Sequence, residues 1–130
     1  MLIAGNWKMN YGLKEINDFY NISKSLEIDP HVDICIIPQL PIVYEAFKLF
    51  KNTKIKIGSQ CSHYKSLGAF TGDVSPDLLS SIGCNYVISG HSERRKNHFE
   101  SDKFVKDSVL SIINKNMIPI ICVGETIEDK

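Results

Sequence analysis

The stretch Ile118-Pro119-Ile120-Ile121-Cys122-Val123 decides the fold class, because it has no polar side at all. A strand with one solvated face alternates apolar and polar residues, whereas a strand covered by helices on both faces is apolar throughout. Four further short runs are mainly apolar and do not alternate regularly, at residues 2–5, 32–37, 55–58 and 86–89. The five runs therefore predict strands of a parallel sheet that is covered by helices.

Stretches with helical spacing separate these runs. Leu13, Ile16, Phe19 and Tyr20 recur at intervals of three and four residues, which places them on one face of a helix. The same spacing recurs within residues 43–50, 78–82 and 104–113. Ser75 as N-cap and Pro76 at the first helical position predict where the third helix begins, and Gly83 predicts where it ends. Strands that alternate with helices form successive right-handed βαβ units. The sequence thus predicts an α/β fold of about five parallel strands with four intervening helices.

Two architectures fit this pattern, an open doubly wound sheet and part of a closed (β/α) barrel. No G-x-G-x-x-G motif follows the first strand, which disfavours a dinucleotide-binding sheet. Polar residues gather just after the strands, at Asn6 and Lys8, Gln60, residues 91–95 and Glu125. Both architectures keep their chemistry at this carboxyl end of the strands. No linker or shift in composition divides the chain, so we predict one domain over residues 1–130.

Composition excludes several classes of function. Fifteen acidic and fifteen basic side chains cancel, so no net field favours nucleic acid or a membrane surface. No apolar run approaches the roughly 18 residues that span a bilayer, and the N-terminus lacks the basic region of a signal peptide. We therefore expect a cytoplasmic protein. The four cysteines form no C-x-x-C pair and no histidine lies at zinc-ligand spacing, which predicts reduced, mostly buried thiols and no metal site.

Asn6 and Lys8 stand two residues apart at the end of the first strand. The period of a strand directs both side chains to one side and Trp7 to the other. An amide and an ammonium that face one cavity suit an anionic or carbonyl substrate. A surface lysine at a fraying strand end is the alternative that spacing alone leaves open.

His91 follows the fourth strand and precedes a predicted helical turn. Free backbone N–H groups at a helix start disfavour the imidazolium, so the ring can stay neutral and donate a hydrogen bond. Glu93 either pairs with Lys8 or simply sits at the helix start. The chain's two arginines are adjacent, Arg94-Arg95, which indicates a specific ion-pairing role. The other histidines, His31, His63 and His98, have no such setting and are predicted to lie at the surface.

Four segments together resemble triosephosphate isomerase, in order and at that family's spacing. The resemblance covers essentially all of residues 1–130, and the H-S-E-R-R run is its most specific part. The segments are Gly5-Asn6-Trp7-Lys8-Met9-Asn10, Gly68-Ala69-Phe70-Thr71-Gly72, Val87-Ile88-Ser89-Gly90-His91-Ser92-Glu93-Arg94-Arg95 and Cys122-Val123-Gly124-Glu125-Thr126.

The resemblance implies a partial (β/α)8 TIM barrel and a role in glycolysis and gluconeogenesis. The family interconverts dihydroxyacetone phosphate and glyceraldehyde 3-phosphate through an enediolate, without metal or organic cofactor. Asn6 and Lys8 match its substrate-binding pair, and Lys8 also offsets substrate charge during catalysis. His91 matches its neutral electrophile, a case that the general literature on enzyme pKa tuning already uses as an example. Glu93 matches a carboxylate that lies behind Lys8 and His91.

The loop 61–76 is too long for a simple connector and carries Tyr64, Leu67 and Phe70, which we expect to be exposed. It matches the family's dimer loop, which implies a homodimer in which Thr71 steadies the active site of the neighbouring subunit. Cys61 departs from the family pattern, which more often has Asn or Asp after Gln60. Arg95 is expected to form a structural ion-pair network with Glu100 rather than to act in catalysis.

The same resemblance indicates what residues 1–130 lack. The family's general-base Glu follows a sixth strand, and its phosphate-binding loops follow strands seven and eight. We therefore expect strands 6–8 to be absent and these residues alone to be inactive as an isomerase. Two alternatives remain open: a non-catalytic half-barrel that acts as an interaction module, and a different barrel enzyme acting on a sugar phosphate.

Overall fold

The computed structural model describes residues 1–125 and contains a curled half-barrel of parallel strands with helices between them. All neighbouring strands pair in parallel, in the order of the chain. The predicted fold class is confirmed. The strands are β1 (Leu2–Asn6), β2 (Asp33–Ile37), β3 (Ile55–Ser59), β4 (Tyr86–Ser89) and β5 (Ile118–Ile121).

Helices occupy each of the four connections. A turn of 3₁₀ helix at Leu40–Ile42 leads into the second helix. The helical turn expected after His91 is a short helix of its own, followed by a longer helix that returns the chain to β5. The helices are α1 (Leu13–Ser23), α2 (Val43–Phe50), α3 (Pro76–Ile82), α4 (Ser92–Asn97) and α5 (Asp102–Asn114).

Helix α3 shows how local sequence sets the ends of an element. Ser75 caps its start, because the Ser75 hydroxyl accepts a hydrogen bond from the Leu78 amide at 3.1 Å. Pro76 occupies the first helical position, where no N–H is needed. Gly83 ends the helix with a φ of 101°, a conformation that glycine adopts at little cost. Each of these boundaries is as the sequence predicts.

The main core lies between the sheet and its helices. It includes Ile57 and Val87 from the sheet with Ile16, Val43 and Ile112 from the helices. A smaller cluster covers the opposite face of the central strands and contains Cys35, Ile37, Tyr86 and Ile88. Strands β2 and β4 therefore bury apolar residues on both faces, which explains their apolar runs, whereas Lys56 of β3 is exposed.

The two outer strands differ from the central ones. Within residues 1–125, strand β1 pairs only with β2, and β5 pairs only with β4. Ile3 of β1 is 52% exposed and Ile121 of β5 is 50% exposed. The apolar sequences of β1 and β5 thus form exposed edges among the described residues.

His63 is buried, and its predicted position at the surface is wrong. Its ring packs between Tyr64 and Phe70, with centroid distances of 4.4 and 4.2 Å, and against Phe104 of α5. The Nδ1 atom accepts a hydrogen bond from the Lys65 amide at 2.9 Å. Aromatic neighbours that are distant in sequence bury this ring, and no local pattern announces them. His31 and His98 are exposed, as predicted.

Candidate active site

The chain turns sharply at the end of β1. The strand ends at Asn6, and Lys8 adopts a left-handed backbone with a φ of 52°. The Asn6 Oδ1 atom accepts a hydrogen bond from the Lys8 amide at 2.9 Å, which closes the turn. Lys8 therefore owes its direction to this turn and not to the strand period on which the sequence prediction relied.

Gln60 supports this turn from the end of β3. Its Nε2 atom donates to the Lys8 carbonyl at 2.6 Å and lies 3.4 Å from the Ile37 carbonyl. One side chain thus links the carboxyl ends of β1, β2 and β3. In the sequence Gln60 stands out only as a polar residue after a strand, and no local pattern indicates this linking role.

Glu93 pairs with Lys8 across the mouth of the half-barrel. The Lys8 Nζ atom lies 2.7 Å from Oε1 of Glu93, and both side chains are about half exposed. The hydrogen bond from Lys8 lowers the pKa of the Glu93 carboxyl below its ordinary value. Of the two alternatives for Glu93, the structure contains the inward pair with Lys8.

His91 is the N-cap of α4, and its ring is the capping group. The Nδ1 atom accepts from the Glu93 amide at 3.3 Å. Oε2 of the same Glu93 lies 3.5 Å from Nδ1, and a carboxylate there would favour a proton on that nitrogen. The Glu93 backbone N–H is the closer group to Nδ1, and an amide N–H can only donate. The Glu93 carboxylate is already paired with Lys8. When the ring is neutral, Nδ1 is therefore the acceptor and the proton lies on Nε2.

These side chains share one open cleft of about 550 Å³. Asn6 and Lys8 line it from the end of β1, Gln60 from the end of β3, and His91 and Glu93 from the start of α4. An amide, an ammonium and an imidazole therefore meet at one mouth of the curved sheet. Thr71 is not among the residues that line this cleft; it is exposed on the loop that follows β3.

The sequence model of the triosephosphate isomerase family matches residues 1–130. The chain belongs to this family. The triosephosphate isomerase of Aquifex aeolicus (strain VF5) is 41% identical over 130 residues, which covers 99% of this chain and 53% of that enzyme. The Clostridium botulinum (strain Loch Maree / Type A3) enzyme is 39% identical, with 52% of its length covered. The Finegoldia magna enzyme is 40% identical, with 51% covered. The chain thus spans about half the length of these curated relatives.

Membership of the triosephosphate isomerase family decides against an unrelated sugar-phosphate barrel. Within residues 1–125, no three His, Cys, Asp or Glu side chains are grouped so as to hold a metal ion. In the same part of the chain, no helix has the length and apolar character that crossing a bilayer requires.

The two arginines of the isomerase motif bind different partners. Arg94 Nε lies 2.6 Å from the Glu100 carboxylate, whereas Arg95 Nε donates to the Gly90 carbonyl at 2.8 Å. Arg95 Nη1 also lies 2.6 Å from Asp102. The predicted pairing of Arg95 with Glu100 is therefore wrong. Consecutive residues of a helix point about 100° apart, so only one of two adjacent arginines reaches Glu100.

The loop 61–76 is closed at its base and exposed at its tip. The His63 amide donates to the Val74 carbonyl at 2.9 Å, which joins the two arms. Leu67 is 87% exposed and Phe70 is 40% exposed, as the sequence predicts. Tyr64 was expected to be exposed as well, but it is half-buried because its ring stacks on His63.

Proposed function

We propose that this chain forms part of a triosephosphate isomerase that interconverts dihydroxyacetone phosphate and glyceraldehyde 3-phosphate. The cleft at the end of β1 would form the side of the active site that binds the substrate and polarises its carbonyl. Residues 1–130 would be one domain of the barrel. The convergence of Asn6, Lys8 and His91 on one cleft, in a chain that belongs to this family, carries the proposal.

Lys8 would bind the substrate's negative charge. An ammonium has three N–H donors, and in this structure Glu93 accepts from it at 2.7 Å. The pair is half exposed, so the remaining donors can reach a phosphate or a developing enediolate in the cleft. Asn6 holds the turn that presents Lys8, since its Oδ1 accepts from the Lys8 amide.

His91 would act as the electrophile. Because Nδ1 accepts from the Glu93 amide, the neutral ring carries its proton on Nε2 and can donate it to a substrate oxygen. A neutral imidazole is a weak acid, so it stabilises an enediolate by hydrogen bonding and can pass a proton between the two oxygens.

Removal of the substrate's carbon-bound proton requires a separate base. Among the residues that line the cleft in the described part of the chain, Glu93 is the one carboxylate. Its hydrogen bond to Lys8 lowers its pKa, which makes it a poor base. The resemblance assigns this role to a Glu after a sixth strand, so we propose that residues 1–130 alone have no isomerase turnover.

We further propose a homodimer formed through loop 61–76, in which Thr71 contacts the neighbouring active site. The exposed apolar tip at Leu67 supports this proposal, as do the exposed side chains of Met9, Tyr11 and Leu13 beside the cleft. As a glycolytic enzyme the protein would be cytoplasmic, act without a cofactor and bind neither nucleic acid nor membrane.

The alternative is a non-catalytic half-barrel that acts as an interaction module. One observation favours it: the edges β1 and β5 expose apolar residues such as Ile3 and Ile121. Unpaired strand edges bind other strands readily. Such a module would assemble with itself or with another chain and would show no isomerase turnover in any assembly.

The deciding experiment joins residues 1–130 to the remaining half of the Aquifex aeolicus enzyme and assays conversion of glyceraldehyde 3-phosphate by a coupled reaction. The parent enzyme and residues 1–130 alone are assayed in parallel. We expect a folded chimera to be active and the shorter chain to be inactive. A chimera with a native circular dichroism spectrum and no turnover would overturn the isomerase proposal. Turnover by residues 1–130 alone would show that the base lies within them.

A further inference from the structure

The peptide bond before His91 is held by a side chain. Gly90 connects β4 to His91 with a φ of 73°, which is in the left-handed region. Its carbonyl accepts a hydrogen bond from Arg95 Nε at 2.8 Å, and this group is partly buried. The guanidinium thus fixes the orientation of the peptide plane from which His91 begins.

Gly90 also makes room for this guanidinium. A Cβ atom on residue 90 would lie 2.9 Å from Arg95 Nη2 and 3.0 Å from a methyl group of Val105. Only a residue without a side chain permits both the left-handed backbone and the close approach of the arginine. The second anchor of the guanidinium is Asp102, the first residue of α5, at 2.6 Å from Nη1.

The other polar contacts of His91 in the described part of the chain come from the backbone of α4 and from the Glu93 carboxylate, whose Oε2 lies 3.5 Å from Nδ1. The His91 carbonyl accepts from the Arg94 and Arg95 amides at 2.9 and 3.0 Å. Its Nδ1 accepts from the Glu93 amide at 3.3 Å. The Glu93 carboxylate acts on the ring, whereas the carbonyl of Gly90 is where the Arg95 side chain acts on the backbone from which His91 begins.

We propose that Arg95 is a positioning residue for His91 and that Asp102 orients Arg95. This inference rests on the proposed function, which makes His91 the electrophile. The effect of Arg95 on the orientation of His91 can be tested without measuring turnover. A planar guanidinium donates to Gly90 and Asp102 from two nitrogens in fixed relation, and a lysine ammonium has no such fork. Arg94 has the same chemistry but is directed to Glu100.

The test compares Arg95→Lys with Arg94→Lys in the 130-residue chain. Ring ¹⁵N signals of His91 show which nitrogen accepts a hydrogen bond, and amide exchange at Glu93 reports its bond to Nδ1. With Arg95→Lys we expect the His91 ring signals to shift and Glu93 amide exchange to rise about fivefold, the effect of losing one ordinary hydrogen bond. With Arg94→Lys we expect no shift of the His91 ring signals, even if this variant lowers the melting temperature more than Arg95→Lys does.

Equal shifts of the His91 ring signals in Arg95→Lys and Arg94→Lys would show that Arg95 only supports the fold in general. That result would overturn the inference. Asp102 is 94% exposed, so Asp102→Asn should fold even if Arg95→Lys does not. It should shift the His91 ring signals in the same direction but by less, since exposed ion pairs are weak.

The matched control is Asp107→Asn, which removes a 2.6 Å pair from the same helix. Ring signals that respond alike in Asp102→Asn and Asp107→Asn would also overturn the inference. Either failure would leave the isomerase proposal untouched, because that proposal depends on turnover in the chimera. An inactive chimera would in turn leave the geometry of Arg95 and His91 unaffected.

Discussion

The Nζ atom of Lys8 lies 2.7 Å from Oε1 of Glu93, although the two residues are 85 positions apart. Lys8 follows β1 and Glu93 follows β4, with two strands between them. In a flat sheet these strands would be about 14 Å apart. The pair therefore forms because the sheet curls, and it joins the two ends of the cleft.

This pair predicts how Glu93 titrates. The hydrogen bond from Lys8 is the largest cause that lowers the pKa of Glu93, so Lys8→Met should raise that pKa toward the ordinary 4.5. Side-chain ¹³C NMR during an acid titration measures it. The pKa of Glu93 is lower in the folded state than in the unfolded state, so the pair stabilises the fold fully at pH values above the unfolded pKa. This stabilisation is lost as the pH falls through the folded pKa. Lys14→Met, which removes the 2.7 Å pair with Asp18, is the control and should leave Glu93 unchanged.

The left-handed backbone of Lys8 predicts a difference between two substitutions. Lys8→Ala and Lys8→Gly both remove the ammonium, but only glycine relieves the strain at a φ of 52°. We expect Lys8→Gly to unfold with a free energy about 1 kcal/mol higher than Lys8→Ala, measured by urea denaturation. Equal stabilities would mean that residue 8 is not held in this conformation in solution.

Two glycines have similar backbone conformations but different surroundings, so their alanine variants distinguish the cost of backbone strain from the cost of steric overlap. Gly83 and Gly72 have φ values of 101° and 91°. A Cβ on Gly83 would lie 2.4 Å from the Phe47 ring, whereas a Cβ on Gly72 would meet nothing within 4 Å. We expect Gly72→Ala to cost about 1 kcal/mol and Gly83→Ala about 3 kcal/mol in urea denaturation. Similar losses would show that Phe47 moves aside freely.

Local patterns in the sequence were sufficient to predict the elements of the fold. The apolar run at 118–123 and the Ser75, Pro76 and Gly83 signals each depend on near neighbours, so they predicted a strand and the ends of a helix correctly. The parallel pairing followed from the alternation of strands and helices.

Features that depend on distant residues were harder to predict. His63 is buried by Phe104, which lies far along the chain. The choice between Glu100 and Asp102 as the partner of Arg95 depends on how α4 meets α5, and no spacing rule specifies it. Lys8 reached the cleft as expected, but through a left-handed turn that the strand period does not include.

Burial predicts the reactivity of the four cysteines. It raises the pKa of Cys35 and of Cys84 to about 12, so neither thiol ionises appreciably near neutral pH. Cys61 and Cys122 are only partly buried. We expect iodoacetamide at pH 8 to label Cys122 and Cys61 first, and Cys35 and Cys84 only after unfolding, as followed by mass spectrometry of peptides. Early labelling of Cys35 would show that the inner face of the sheet opens.

The different contacts of His91 and Lys8 predict different kinetic losses in the active chimera. His91 would stabilise charge that develops only as the enediolate forms, so His91→Ala should lower kcat by about 10³ with little change in KM. Lys8 would attract the substrate's charge before and during reaction, so Lys8→Ala should raise KM and lower kcat together.

Steady-state kinetics in the direction of glyceraldehyde 3-phosphate isomerisation measures both parameters. His31→Ala provides the control, since His31 is exposed and outside the cleft. If His91→Ala kept kcat within tenfold of the parent chimera, the ring would not be the electrophile. If Lys8→Ala changed kcat alone, the ammonium would act on the transition state and not on binding, because only an interaction present in both states changes KM.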